Sequence, residues 1–379
     1  MSRVAAPSTA TRVCPIHRRL SDTIEPAPSA PRGCTRGCTA RVGGPYRKLH
    51  EALLPAVGTL ILVEMALVEP TVQWLLDGDA SIRWQTMRDL LDVPESEVES
   101  ERSLIETTGW GRELLNRQDP DGSWAGGLYG PKWTSTTYTL LVLFRCGLPP
   151  RTPAALRGVE LLWEGARFYE GGLTAARSVK APEACITSMY VALARYFGFD
   201  DPRVDAAVDW LLANQLGDGG WNCRTVRFGD SHGSFHTSIS ALEALAEAVK
   251  VEPGRTEIVT AMARGREFFL AHRLYKSHRY GTVVDPVFTR LSFPPRWHYD
   301  LLRGLDHFQA TAAPWDERYR DALDVLTCRR RKDGTWPVQH KHAGKVWFDM
   351  EQTGGPSRWS TLRALRVLRW VERLATQQP

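Results

Sequence analysis

A helical hairpin recurs about five times along this chain, and that recurrence limits the possible folds more than any other feature. The segments that open the second helix of each copy read KWTSTTYTLLVL from Lys132, ACITSMYVALARYF from Ala184, FHTSISALEALAEA from Phe235, WHYDLLRGLDHF from Trp297 and RWSTLRALRVLRWV from Arg358. Aligned by apolar phase, they place Trp133, Cys185, His236, His298 and Trp359 in one column, at spacings of 52, 51, 62 and 61 residues. A unit of this size buries its apolar face only against its neighbours, so the pattern predicts an all-α stack of hairpins. If the stack closes into a ring, the residues of the column converge on one mouth.

The third copy shows the plan. Val204, Val208, Leu211 and Leu212 fall at helical spacing after the Asp201-Pro202 start signal. Gly217, Gly219, Gly220 and Gly229 break the chain, and Ser234 offers an N-cap for a second helix striped by Ile239, Leu242 and Leu245. The same turn recurs as LLNRQDPDGSW (Leu114–Trp124), LLANQLGDGGW (Leu211–Trp221) and LTCRRRKDGTW (Leu326–Trp336). Each Trp is expected to pack over the adjoining helix end, with its indole N–H bonded to a loop carbonyl. A further pair, Thr71–Leu76 and Ser81–Leu91, is expected to begin the ring.

Composition narrows the setting. Hydrophobic residues make up 43% of the 379 and include 14 Trp, which suits a large buried core. Forty Arg against eight Lys, interleaved with Asp and Glu to a net charge of +5, are no nucleic-acid footprint. Seven Cys in so long a chain predict no disulfide scaffold, and a reduced, cytoplasmic location is expected. Residues 1–64 are expected to be a disordered or wrongly included extension, with a transit peptide as the alternative. The apolar run Ala52–Val63 is too short to span a bilayer. The folded domain is expected over residues 65–375.

The Q-x-x-D-G-S/G-W turns resemble the repeats of squalene cyclases and of protein prenyltransferase β subunits. Residues from about 70 to 373 resemble one α/α toroid of that superfamily, in a bacterial squalene-cyclase-like branch. The resemblance implies a single toroid of five to six hairpins whose second helices line a central cavity and share one rim of N-termini. Such a rim favours anions, and Lys132, Lys180, Arg224, Arg227, Arg296 and Arg358 fall near it.

Cys185, His236 and His298 share the helix-start column, and Cys223 lies in the turn before the His236 helix; two thiolates and two imidazoles make a tetrahedral zinc set. Prenyltransferase β subunits hold zinc in the corresponding place, although Asp218 here precedes Cys223 by five residues where theirs precedes the Cys by two. His340 or His342 is the alternative ligand source. Glu183 and Asp300 are the candidate general acid or base, or partners orienting a ligand His. Trp133, Tyr138, Trp297 and Trp359 are the candidate wall for an apolar substrate, with Arg224 and Arg296 meeting an anionic head group. No Asp-x-Asp-Asp acid tetrad is present, and squalene cyclases need two toroids, so squalene cyclisation by that route is not expected.

The resemblance thus implies a protein that binds an isoprenoid or lipid-like substrate, with zinc-dependent prenyl transfer or related chemistry, alone or with a second subunit. The alternatives are a non-catalytic toroid that binds a lipid, peptide or partner protein around a structural metal, and an atypical terpenoid cyclase lacking the acid motif.

Overall fold

The computed structural model describes residues 69–376; the expectations for residues 1–64 and for the start of the domain at 65 lie outside the described residues. In chain order the helices are α1 (Glu69–Leu76), α2 (Ala80–Leu90), α3 (Glu95–Ser103), α4 (Gly109–Leu115), α5 (Thr136–Cys146), α6 (Pro153–Gly165) and α7 (Ala184–Phe197). There follow α8 (Pro202–Ala213), α9 (Thr225–Phe228), α10 (Phe235–Val251), α11 (Thr256–Ala271), α12 (Leu301–Ala310), α13 (Arg320–Cys328) and α14 (Arg358–Thr376). Two short antiparallel pairs, Arg167–Tyr169 with Gly172–Thr174 and Trp336–Pro337 with Pro356–Ser357, brace inter-helix turns.

Six of these helices (α2, α5, α7, α10, α12 and α14) form an inner set whose neighbours close into a ring. α7 packs on α5 and α10, α12 on α10 and α14, and α14 on α2. The last link, α2 to α5, runs through Trp84, whose indole N–H donates to the Cys146 carbonyl at 2.9 Å. The first four inner helices each pack on the outer helix before them, and Glu69–Leu76 with Ala80–Leu90 is the further pair that the sequence suggested. Inner helices are buried on nearly every side: in α7 only Cys185, Arg195 and Tyr196 keep partial exposure.

The recurring turn fastens outer helix to inner helix in the same way three times. The indole N–H groups of Trp124, Trp221 and Trp336 donate to the carbonyls of Leu114, Leu211 and Leu326, each at 2.8 Å. These acceptors belong to the preceding outer helix, not to a loop as the sequence suggested. Their backbone N–H groups donate to Thr136, Ser238 and Thr361 hydroxyls on the following inner helix. Gln118 and Gln215 complete two copies by bonding the turn and the next outer helix at once. Gly219 has a φ of +86°, and a Cβ there would lie 2.3 Å from the Arg264 carbonyl oxygen, so the turn admits only glycine.

The five-residue column does not form one geometric position. Cys185, His236 and Trp359 are each the second residue of their helix. Trp133 and His298 precede their helices by three residues, because α5 is entered through Ser135 and α12 is capped by Asp300.

Candidate functional site

The end of the ring that holds the inner-helix N-termini is closed by two loops. Residues 341–353 lie across it as a strap. Trp133 pins the strap through its backbone N–H, which donates to the Lys345 carbonyl at 2.6 Å, and through its indole, which donates to the Ala343 carbonyl at 3.0 Å. Trp347 reaches back to the Thr139 hydroxyl at 3.1 Å. Beneath the strap is a narrow cleft of about 40 Å³ walled by Trp133, Phe293, Val346, Trp347, Phe348 and Met350. That space holds a few water molecules at most.

Arg296 lines this cleft. Its backbone φ is +57°, a region that L-residues with side chains seldom enter. Its guanidinium lies over the Trp133 ring at 5.6 Å, and among the described residues it has no carboxylate and no hydrogen-bond acceptor. Burial lowers its pKa to about 10, which leaves it charged at neutral pH. Lys132 is alongside, its Nζ 5.2 Å from the Trp133 ring and 5.6 Å from that of Trp297, likewise without an acidic partner. The indole N–H of Trp297 and Nε2 of His342 are buried without a partner.

The histidines gather here. His298 stacks face to face on His342 at 3.8 Å with the rings 8° apart, and meets His236 edge-on at 5.6 Å. Burial is the first cause that lowers all three, His236 to about 4, His342 to about 3 and His298 to about 2, so each is a neutral imidazole at pH 7. Nδ1 of His236 accepts the Tyr299 backbone N–H at 2.9 Å, which ties two consecutive hairpins.

Cys185 and Cys223 form a separate thiol pair. The hydrogen bond from Cys185 lowers Cys223 to about 7, and that same bond, with burial, pushes Cys185 well up. Among the described residues no three His, Cys, Asp or Glu side chains come together as a metal-ligand group. Two imidazoles stacked in parallel aim their nitrogens past any shared point, and one nitrogen of His236 is taken. The structure does not gather three of Cys185, Cys223, His236 and His298 as ligands, and no chemistry is derived through that set.

The other expected residues have separate fates. Asp300 is 1% exposed; Oδ1 accepts the Arg303 N–H at 2.8 Å, and Oδ2 accepts from the Ser292 N–H and hydroxyl at 3.1 and 2.5 Å. It is an N-cap that pins the loop before α12. Glu183 precedes α7 and accepts from the Thr174 hydroxyl at 2.6 Å, lining neither space described here. Arg224 is a surface residue paired with Asp230 at 2.6 Å. Tyr138 is fully buried edge-on to Trp133. Trp359 stacks on Phe293 at 4.1 Å and forms, with it, the partition behind the cleft.

One residue escaped the sequence reading. Glu351 lines the cleft, and burial raises its carboxyl pKa although Ser357 and the Trp359 N–H donate to it. It lies in a loop outside the repeat pattern, so no periodic signal marks it.

Beyond the partition, the ring encloses a cavity of about 880 Å³ that reaches the C-terminal ends of the inner helices. Its wall is charged. Glu243 receives Arg145 and Arg303 at 2.5 and 2.6 Å, and Asp306 receives Arg363 and Arg366 at 3.1 and 2.5 Å. The wall also carries the aromatic side chains of Trp84, Phe144, Tyr196, Phe293 and Trp359, so charged and apolar surface lie side by side in it.

No family model matches this sequence, and no curated protein matches it. Among solved structures, a protein from Actinoplanes is similar at 17% identity and a TM-score of 0.42, covering 83% of this chain and 99% of its own. The type II terpene cyclase MstE from Scytonema is similar at 14% identity and a TM-score of 0.43, with the same coverages. A variant of that cyclase in complex with its product merosterolic acid A is similar at 15% identity. Among the described residues no helix is long and apolar enough to cross a membrane.

Proposed function

We propose that the closed face binds an amphiphilic organic anion, of which an isoprenoid diphosphate is the type, with Arg296 and Lys132 taking the head group and the aromatic cleft taking the body. One observation carries this reading: Arg296 is a half-buried guanidinium whose charge desolvation disfavours, in a strained backbone conformation, with no counter-ion among the described residues. A buried charge without a partner costs several kcal/mol, roughly, and proteins retain one where something else compensates it. An anion supplies that compensation, and the partnerless Trp297 indole N–H and the Lys132 ammonium over the Trp133 and Trp297 rings add to it.

The cleft is too small for such a molecule while the strap lies in place, so binding requires residues 341–353 to lift. The strap contains neither helix nor strand, and a handful of hydrogen bonds through Trp133 and Trp347 hold it, so its opening is local. If the bound molecule is transformed, Glu351 is the carboxyl placed to give a proton, because burial favours its neutral form.

Calorimetric titration of farnesyl diphosphate against farnesol tests the reading. The diphosphate should bind at least tenfold more tightly, a difference of about 1.4 kcal/mol, and Arg296→Gln should abolish the preference. Glu351→Gln should bind as the parent does while losing any turnover. Equal affinity for the alcohol and the diphosphate would sink the proposal.

A further inference from the structure

The central cavity is chemically unlike the cleft, and nothing in the reading above uses it. Its volume of about 880 Å³ lies within the range of small-molecule sites, roughly 300–1,000 Å³. Its deep wall is rich in hydrogen-bond donors. Two buried carboxylates, Glu243 and Asp306, are divided among four guanidiniums. Each guanidinium has five N–H donors. Arg145 uses only Nη2, on Glu243, and Nη2 of Arg363 has no protein acceptor.

Helix ends do not account for all of this charge. Cations in the last turn of an inner helix, such as Arg145, complement the negative end of its dipole. Arg303 is instead the third residue of α12, where the dipole repels it, and Arg363 is in the second turn of α14, where neither helix end accounts for it. Two side chains that line this space also carry a buried polar atom without a protein partner. Trp359 is 1% exposed and His307 6% exposed; both line the cavity, and neither the Trp359 indole N–H nor His307 Nε2 has a partner. Burial holds His307 neutral, with a pKa lowered to about 4.

From this we infer a second binding site: the central cavity takes a small organic anion rich in acceptor oxygens, phosphate- or carboxylate-bearing, entering at the C-terminal ends of the inner helices. Its oxygens meet the unused N–H groups of Arg145 and Arg363 and the Trp359 indole, and a hydroxyl or carboxyl of the ligand meets His307. The phosphate and carboxylate cases share this donor chemistry, and the choice of probe separates them.

Isothermal titration of the full chain with inorganic diphosphate and, separately, citrate tests the assignment at low ionic strength. At least one should bind with a Kd at or below about 1 mM. Trp359→Phe keeps the ring packing and removes one donor, and should weaken that binding about tenfold. Arg363→Gln should weaken it at least as much, with circular dichroism confirming the fold. Arg320→Gln, on the surface and outside both spaces, should leave it unchanged. Binding of diphosphate alone identifies a phosphoryl site, and binding of citrate alone a carboxylate site. The assignment is overturned if neither probe binds, if both cavity variants bind as the parent does, or if only Arg320→Gln loses binding.

Discussion

Ring closure depends on one arginine more than on any other polar residue, and its removal has a calculable cost. Arg366, on the last inner helix, donates to Asp306 at 2.5 and 2.7 Å, to Asp89 at 3.1 Å and to the Gln85 side chain at 3.0 Å. It thereby joins α14 to α12 and to α2, the first inner helix, some 280 residues away in sequence. The side chains are 12% and 13% exposed at the Asp306 contact, so solvent screens the pair little. Arg366→Met keeps the aliphatic stem but leaves Asp306 with Arg363 alone and Asp89 with an exposed Arg88. Removing one partner of a buried pair costs about 3–5 kcal/mol. At roughly 2 °C per kcal/mol for a domain of this size, the midpoint should fall by about 6–10 °C. Thermal unfolding followed by circular dichroism measures this. Arg320→Met is the control, because its pair with Glu317 is more than half exposed on both sides and should be worth under about 1 kcal/mol. If the two variants lose equal stability, the ring is not held shut by this network and the reasoning fails.

Three further outcomes are expected. Burial alone would raise Glu243 and Asp306, but the guanidiniums on each outweigh it and hold both carboxyls below their usual range. Folded values below unfolded ones give a stability contribution that is complete above about pH 4 and lost as the pH falls further; urea midpoints that stay flat between pH 5 and pH 3 would contradict it. Trp221→Phe strands the buried Leu211 carbonyl and should cost about 1–3 kcal/mol, with Trp336→Phe costing the same through Leu326; urea melts check both. Cys223, with a pKa near 7, should be alkylated by iodoacetamide with a half-maximal rate near that pH, far ahead of Cys185. Peptide mapping that finds Cys185 modified first would reverse the assignment within the pair.

Much of the fold was legible because it is periodic. Glycine and tryptophan at fixed offsets specified the turn, and the apolar stripe of Ile239, Leu242 and Leu245 specified a buried inner helix. The site was less legible, for two physical reasons. First, a helix start is fixed by capping and not by apolar phase: Asp300 caps α12 so that it begins at Leu301, three residues after His298, and the shared column split in two. Second, the closing loops are single-copy. The strap that brings His342, Trp347 and Glu351 over Trp133 crosses some 210 residues of sequence, and no repeat announces it. Arg296 was picked out for its place near a helix start, and its burial without a counter-ion is visible only in three dimensions.

The dipoles of the inner helices separate what the charges at the two ends of the ring are for. Each inner helix carries a positive N-terminal end and a negative C-terminal end. Arg145, Arg195 and Lys250, in the last turns, offset the negative ends, and each also has an acidic partner. Their charges are therefore compensated within the fold. Lys132 and Arg296 are at the opposite end, where the dipoles repel cations, and among the described residues no acid offsets them. Helix electrostatics and desolvation both count against the Arg296 charge, and its backbone conformation adds a further cost. The anion proposed above would offset the first two, because both act on the charge.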